Sequence, residues 1–150
     1  MIQAMGHLYD QDLVLWSEEQ ARALREAGRA GWNAPIDWEN VAEEIESLGK
    51  SDRRALASRI ATIIEHLLKL QASPAGEPSR SWVDTVMRER RDIDGVLEDS
   101  PSLRREIGRM IDKALPKARA DVRASLLRYD ERPLVDLDQL TYTEDQILGD

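Results

Sequence analysis

The chain has 150 residues, no cysteine, and 29 acidic against 21 basic side chains, a formal net charge of −8 at neutral pH. A chain of this length makes one ordinary domain and buries roughly 70% of the surface its unfolded form exposes, so it needs no cross-link or structural metal. The missing cysteine excludes disulfide frameworks, thiolate zinc sites and cysteine nucleophiles, and the acid excess argues against nonspecific nucleic-acid binding by the whole surface.

Residues 1–8 read as an N-terminal extension, with neither the basic start nor the apolar run of a signal peptide. A first helix is expected from about Asp10 to Ala27, with Leu13, Trp16, Leu24 and Ala27 on one face. Gly28 and Gly31 mark its end, and Pro35 confirms a break. Asp37 is placed to cap a second helix, because its carboxylate can accept from the free amide hydrogens of a first turn. Trp38, Val41, Ile45 and Leu48 follow as a 3-4-3 apolar stripe. Gly49 stands where a helix-ending left-handed residue is expected. Ser51 then caps a third helix over about residues 52–71. There Leu56, Ile60, Ile63, Leu67 and Leu70 form one stripe, and Ala57, Ala61, Ile64 and Leu68 an adjacent one. Two stripes side by side mean burial over a wide arc, which makes this the central helix.

The stretch Ala72–Arg80, with two prolines and a glycine, reads as a loop. Ser81 with Asp84 resembles a capping box opening a fourth helix that carries Trp82, Val86, Ile93 and Leu97. Ser100 followed by Pro101 is an N-cap and first-turn signal for a fifth helix. Its apolar line is Leu103, Ile107, Met110, Ile111, Ala114 and Ala118, then Val122 and Leu126. Pro116 lies inside that line, and a kink or break is expected there. Residues 129–150 form an acidic tail in which Thr143 caps a last short helix, Glu144–Leu148. No strand alternation appears. The reading is one all-α domain over residues 1–150: a helical bundle of about five main helices plus a short C-terminal one. No apolar run approaches the ~20 residues of a membrane span, so a cytoplasmic protein is expected.

The run Trp38-Glu39-Asn40-Val41-Ala42-Glu43-Glu44-Ile45-Glu46-Ser47-Leu48-Gly49-Lys50-Ser51-Asp52-Arg53-Arg54, with Glu65-His66-Leu67-Leu68-Lys69-Leu70, resembles the bacterial "domain of unknown function 29" family. Tyr9-Asp10, Trp16, Ser81-Trp82, Pro101-Ser102-Leu103-Arg104 and Thr143 to Leu148 are similar to it too. The likeness spans roughly Tyr9 to Leu148. It implies an all-helical domain of about this length, and it implies no activity and no catalytic residues.

Glu43, Glu46 and His66 are the candidates for a carboxylate-rich metal or acid/base site. The Glu-x-x-His pairs of helical dimetal proteins and the His-Glu-x-x-His of zincins are missing, and the competing reading is a solvated acidic face near a helix N-terminus. His66 as a general base competes with a hydrogen-bonded surface histidine. No serine sits in a Gly-x-Ser-x-Gly setting. No glycine-rich phosphate loop is present. Residues 102–128 hold eight bases against three acids, and residues 130–150 hold seven acids against one base. Arg88, Arg91, Arg105 and Arg109 are therefore candidates for a basic face that tracks phosphates, unless the acidic tail folds onto it. Trp32, in a Gly-flanked loop, is the best candidate for an exposed contact aromatic. The sequence points to a non-enzymatic helical interaction or regulatory module that binds itself or another protein. The alternatives are a nucleic-acid-associated protein and a metal-dependent enzyme. No cofactor, resident metal or membrane partner is expected.

Overall fold

Each regular element among the described residues of the computed structural model, 2–76 and 78–150, is helical. The order is α1 (Ile2–Gln11), α2 (Leu13–Arg29), α3 (Trp38–Ala72), α4 (Pro78–Asp99), a 3₁₀ segment Pro101–Glu106, α5 (Ile107–Arg128), a 3₁₀ turn Leu137–Gln139, and α6 (Glu144–Leu148). The chain divides into two compact units, Met1–Ala55 with Gly95–Arg104, and Leu56–Asp94 with Arg105–Asp150.

In the first unit the expected N-terminal extension is helix α1, its Met1 lying outside the described residues. The next helix starts at Leu13, not Asp10, because Asp12 is its cap: Oδ1 accepts from the Leu15 amide at 2.8 Å. It ends as a Schellman turn, with Gly31 at φ +75°, the Gly31 amide donating to the Gly28 carbonyl and the Trp32 amide to that of Ala27. Its buried line is Val14, Ser17 and Ala21, one position off the expected stripe of Leu13, Trp16, Leu24 and Ala27, all half-buried.

The largest correction concerns Gly49. It does not end a helix, and Ser51 does not start one: α3 is a single helix of 35 residues. A Cβ at Gly49 would meet Ser17 Oγ at 2.5 Å and the Val14 backbone at 3.5 Å. The glycine is there for the close approach of α2, not for its freedom to turn. At the other end of the pair a Cβ on Gly28 would meet the Trp38 side chain at 2.8 Å. These two near contacts, Gly49 with the start of α2 and Gly28 with the start of α3, set the helices antiparallel. Asp37 caps α3 as expected, accepting from the Asn40 amide at 3.4 Å.

In the second unit, Leu56, Ile60, Ile63, Ile64 and Leu68 of α3 are fully enclosed, so the segment read as central is indeed wrapped by its neighbours. They pack in a core with Val86 and Ile93 of α4 and with Ile107, Ile111, Leu115, Val122 and Leu126 of α5. Helix α4 opens at Pro78, where a proline lacks only an amide hydrogen no helix would use, and not at a Ser81 capping box. Ser81 is inside the helix, its carbonyl accepting from Thr85 Oγ1. Ser100 and Pro101 open a 3₁₀ segment before α5 begins at Ile107. Helix α5 runs unbroken through Pro116. That proline faces solvent while Leu115 and Ala118 beside it are buried, so packing on the inner face outweighs the missing bond on the outer one. Thr143 and Gln146 form the full capping box of α6.

Candidate functional site

Helix α3 in the first unit carries more apolar surface than its core uses. The line that faces inward is Ala42 and Gly49, with Ile45 half-buried. Val41 and Leu48, expected on the buried stripe, are 38% and 45% exposed. With Asp37 and Glu44 they follow one another at 4-3-4 spacing, so a single helix face presents two exposed apolar side chains alternating with carboxylates. Trp32 and Ile36, in the loop before α3, are exposed as well, Trp32 at 69%.

In the second unit α4 carries the opposite pattern. Arg80, Val83, Met87 and Arg91 follow at 3-4-4 spacing on one exposed face. Val83 is 42% and Met87 55% exposed. Arg88 is exposed beside them, and the three arginines outweigh Asp84 on that flank. Arg90, one position round the helix, is structural: Nε donates to the Ile147 carbonyl at 3.0 Å and Nη2 to that of Gln146 at 2.7 Å, closing the end of α6.

The basic face of α5 is shared with the acidic tail. Arg123 pairs with Asp138 at 2.9 Å, and Arg119 Nη2 donates to the Leu140 carbonyl at 2.6 Å. Arg109 is exposed and 3.8 Å from Glu106; Arg105 is exposed and also partnered. The tail thus draws Arg119 and Arg123 of the positive row into intramolecular contacts.

Glu43, Glu46 and His66 are not brought together. Glu43 is exposed on α3 in the first unit, and Glu46 is engaged by cations there. Its carboxylate takes Arg25 Nη1 at 2.8 Å and Lys50 Nζ at 3.2 Å. The hydrogen bond from Arg25, then that from Lys50, holds its pKa below the ordinary carboxylate value. Arg25 also reaches Glu39 at 3.0 Å; its bonds to Glu46 and Glu39 raise its own pKa, so it stays charged at every working pH. His66 is in the second unit, where Nδ1 donates to the Thr62 carbonyl at 2.8 Å. Among the described residues no group of three or more His, Asp or Glu side chains stands together as metal ligands would.

Two features escaped the sequence reading. Arg22, Arg25 and Arg29 repeat at 3-4 spacing along α2, a visible signal passed over because the basic residues of α4 and α5 are denser. The exposure of Val41 and Leu48 had no signal at all, since periodicity gives a stripe's spacing and not the partner it packs against.

The model of the family described as "Domain of unknown function DUF29" matches residues 8–150. An alpha-helical protein of unknown function from Rhodospirillum rubrum, solved by crystallography, has the same fold, with a TM-score of 0.72. It is 24% identical, over 93% of this chain and 88% of that one. No curated protein matches the sequence. Among the described residues no helix is long and apolar enough to cross a membrane.

Proposed function

The chain belongs to the DUF29 family, and we propose that this member is a non-enzymatic helical interaction module that associates with a second copy of itself in the cytoplasm. One observation carries the reading: α3 presents Val41 and Leu48 alternating with Asp37 and Glu44 along one face, while α4 presents Val83 and Met87 between Arg80 and Arg91. Each stripe is apolar enough to gain from burial and charged in the sense the other lacks. Acidic side chains on both sides of an α3–α3 contact would repel, whereas the α3 stripe of one copy laid on the α4 stripe of another pairs opposite signs beside apolar contacts. Nucleic-acid binding gains less support, because the tail draws Arg119 and Arg123 into intramolecular contacts.

Sedimentation of the intact protein from about 1 to about 100 μM tests this, a range that brackets micromolar dissociation constants. The wild type is expected to associate. Leu48→Lys, which sets a cation against the arginines of α4, and Met87→Glu, which sets a carboxylate against the acids of α3, are each expected to give monomers. The double variant restores one opposite-charge pair and is expected to recover part of the association. A wild type that stays monomeric throughout, or association untouched by either single substitution, defeats the proposal.

A further inference from the structure

The antiparallel pairing of α2 and α3 lines up charges that are far apart in sequence. Glu18, Arg22, Arg25 and Arg29 repeat at 4-3-4 spacing, which is one face of α2. Lys50 and Arg53 lie on the face of α3 that also carries Glu46. Together they line an open groove of about 510 Å³. It holds five cations and two carboxylates, Glu18 and Glu46, hence a local formal charge of +3 in a chain whose total is −8.

The cations are in two states. Arg25, Lys50 and Arg53 are held by carboxylates: Arg25 by Glu39 and Glu46, Lys50 by Glu46, and Arg53 by Glu18 at 2.9 Å. Side chains already pinned lose less freedom when a ligand arrives. Arg22 and Arg29 are exposed, and neither makes an ion pair among the described residues. Seven residues of helix separate them, about 10 Å along the axis, so the positive charge is a row and not a point.

The ligand chemistry follows from what the groove offers and lacks. Guanidinium forks pair with either carboxylate or phosphate oxygens. A carboxylate ligand would displace Glu39, Glu46 or Glu18 like for like, with little net gain. A condensed phosphate brings more charge per unit length and more acceptor oxygens, and it can bridge Arg22 and Arg29 while the existing pairs stay in place. No aromatic or aliphatic side chain lines the groove to take a nucleobase. We propose that this groove binds a short linear condensed phosphate, of the class of inorganic tripolyphosphate, through Arg22, Arg25 and Arg29 with Lys50 and Arg53. The groove uses a different face of α3 from Val41 and Leu48, so this proposal stands or falls separately from self-association.

Calorimetric titration of the full chain with tripolyphosphate tests it, with adenosine triphosphate and hexaglutamate as parallel arms. Saturable binding is expected, weakening as salt rises. Adenosine triphosphate should bind no tighter than tripolyphosphate, because nothing in the groove receives the base. The Arg22→Gln/Arg29→Gln variant should lose about tenfold or more in affinity, while Lys113→Gln/Lys117→Gln, an equal change of charge at exposed positions on α5, should bind as the wild type does. Both substituted α2 side chains are exposed and outside ion pairs, so the variant should keep the wild-type melting temperature. A tripolyphosphate-induced rise in that temperature, present in the wild type and lost in the variant, is the second readout. The proposal is overturned if the wild type takes up no tripolyphosphate at millimolar levels, if the two double variants weaken binding equally, if hexaglutamate binds as well, or if adenosine triphosphate binds much tighter.

Discussion

Gly49 and Gly95 are both glycines inside helices, and the same substitution should move stability in opposite directions at the two. Glycine in a helix interior costs about 0.5–1 kcal/mol relative to alanine, because it gives up more backbone freedom on folding. At Gly95 a Cβ meets nothing within 4 Å. Gly95→Ala should therefore stabilise the protein by about that amount, read as a rise in the denaturant midpoint. At Gly49 a Cβ would collide with Ser17 Oγ, a buried hydroxyl that donates to the Val14 carbonyl at 2.7 Å. Gly49→Ala should destabilise by about 1–3 kcal/mol, the usual range for forcing atoms into a filled site. The Ser17→Ala/Gly49→Ala pair should be less unstable than the two single losses add up to, since one removes the oxygen the other strikes. Additive losses would mean that the collision is not the cause.

At the level of elements, the first unit is tied together where helix ends meet. The open amides at the start of α2 are shared between two acceptors: Leu15 donates to Asp12 Oδ1 and Val14 to Ser100 Oγ at 3.1 Å. Asp12 in turn receives the Ser102 amide on Oδ2 at 2.7 Å and the Ser102 hydroxyl on Oδ1 at 2.9 Å. One carboxylate thus caps α2 and the 3₁₀ segment at once, and both Asp12 and Ser100 are buried. Losing an ordinary cap costs about 1 kcal/mol, and buried donors left without partners add to that. Asp12→Ala should therefore cost about 2–4 kcal/mol in an equilibrium denaturation experiment, well above an exposed cap. Asp37→Ala, at the exposed cap of α3, should cost about 1 kcal/mol or less.

At the scale of the whole molecule, pH acts on stability from both ends. Tyr142, whose hydroxyl donates to Gln71, has its pKa pushed up to about 12, mainly by burial. The folded state then holds that proton more tightly than the unfolded chain, whose tyrosine titrates near 10.0. Its contribution is fully present below pH 10 and is lost as pH rises towards 12. Glu46 is the reverse case: its pKa is lowered, so its contribution is present above the ordinary value of 4.5 and fades as pH falls through the folded value. Asp52 opposes it, since burial and then the charge of Asp99 raise its pKa, and protonation on acidification relieves that penalty. Melting temperature measured against pH should fall on the alkaline side between about 10 and 12. Tyr142→Phe should flatten that limb and remove the most alkaline step from the tyrosinate absorbance titration. A limb unchanged in the variant would count against burial of Tyr142.

Helix content, several helix ends and the central apolar segment could be read from residue order, because they rest on local causes. The 4-3 spacing of Leu56 to Leu68, the cap at Asp37, the turn at Gly31 and the capping box at Thr143 each act within about one turn of helix. The readings that failed are those in which a local signal has two physical uses. A glycine after an apolar stripe can end a helix or admit a neighbour, and only the approach of Ser17 to Gly49 decides which. A stripe such as Trp38 to Leu48 can face a core or the solvent, and the position of α2 selects Ala42 and Gly49 instead. The groove is the same case, since the row on α2 becomes a site only beside Lys50 and Arg53. Spacing along the chain is dictated by backbone geometry, whereas which side of a helix is covered depends on a partner brought near by packing.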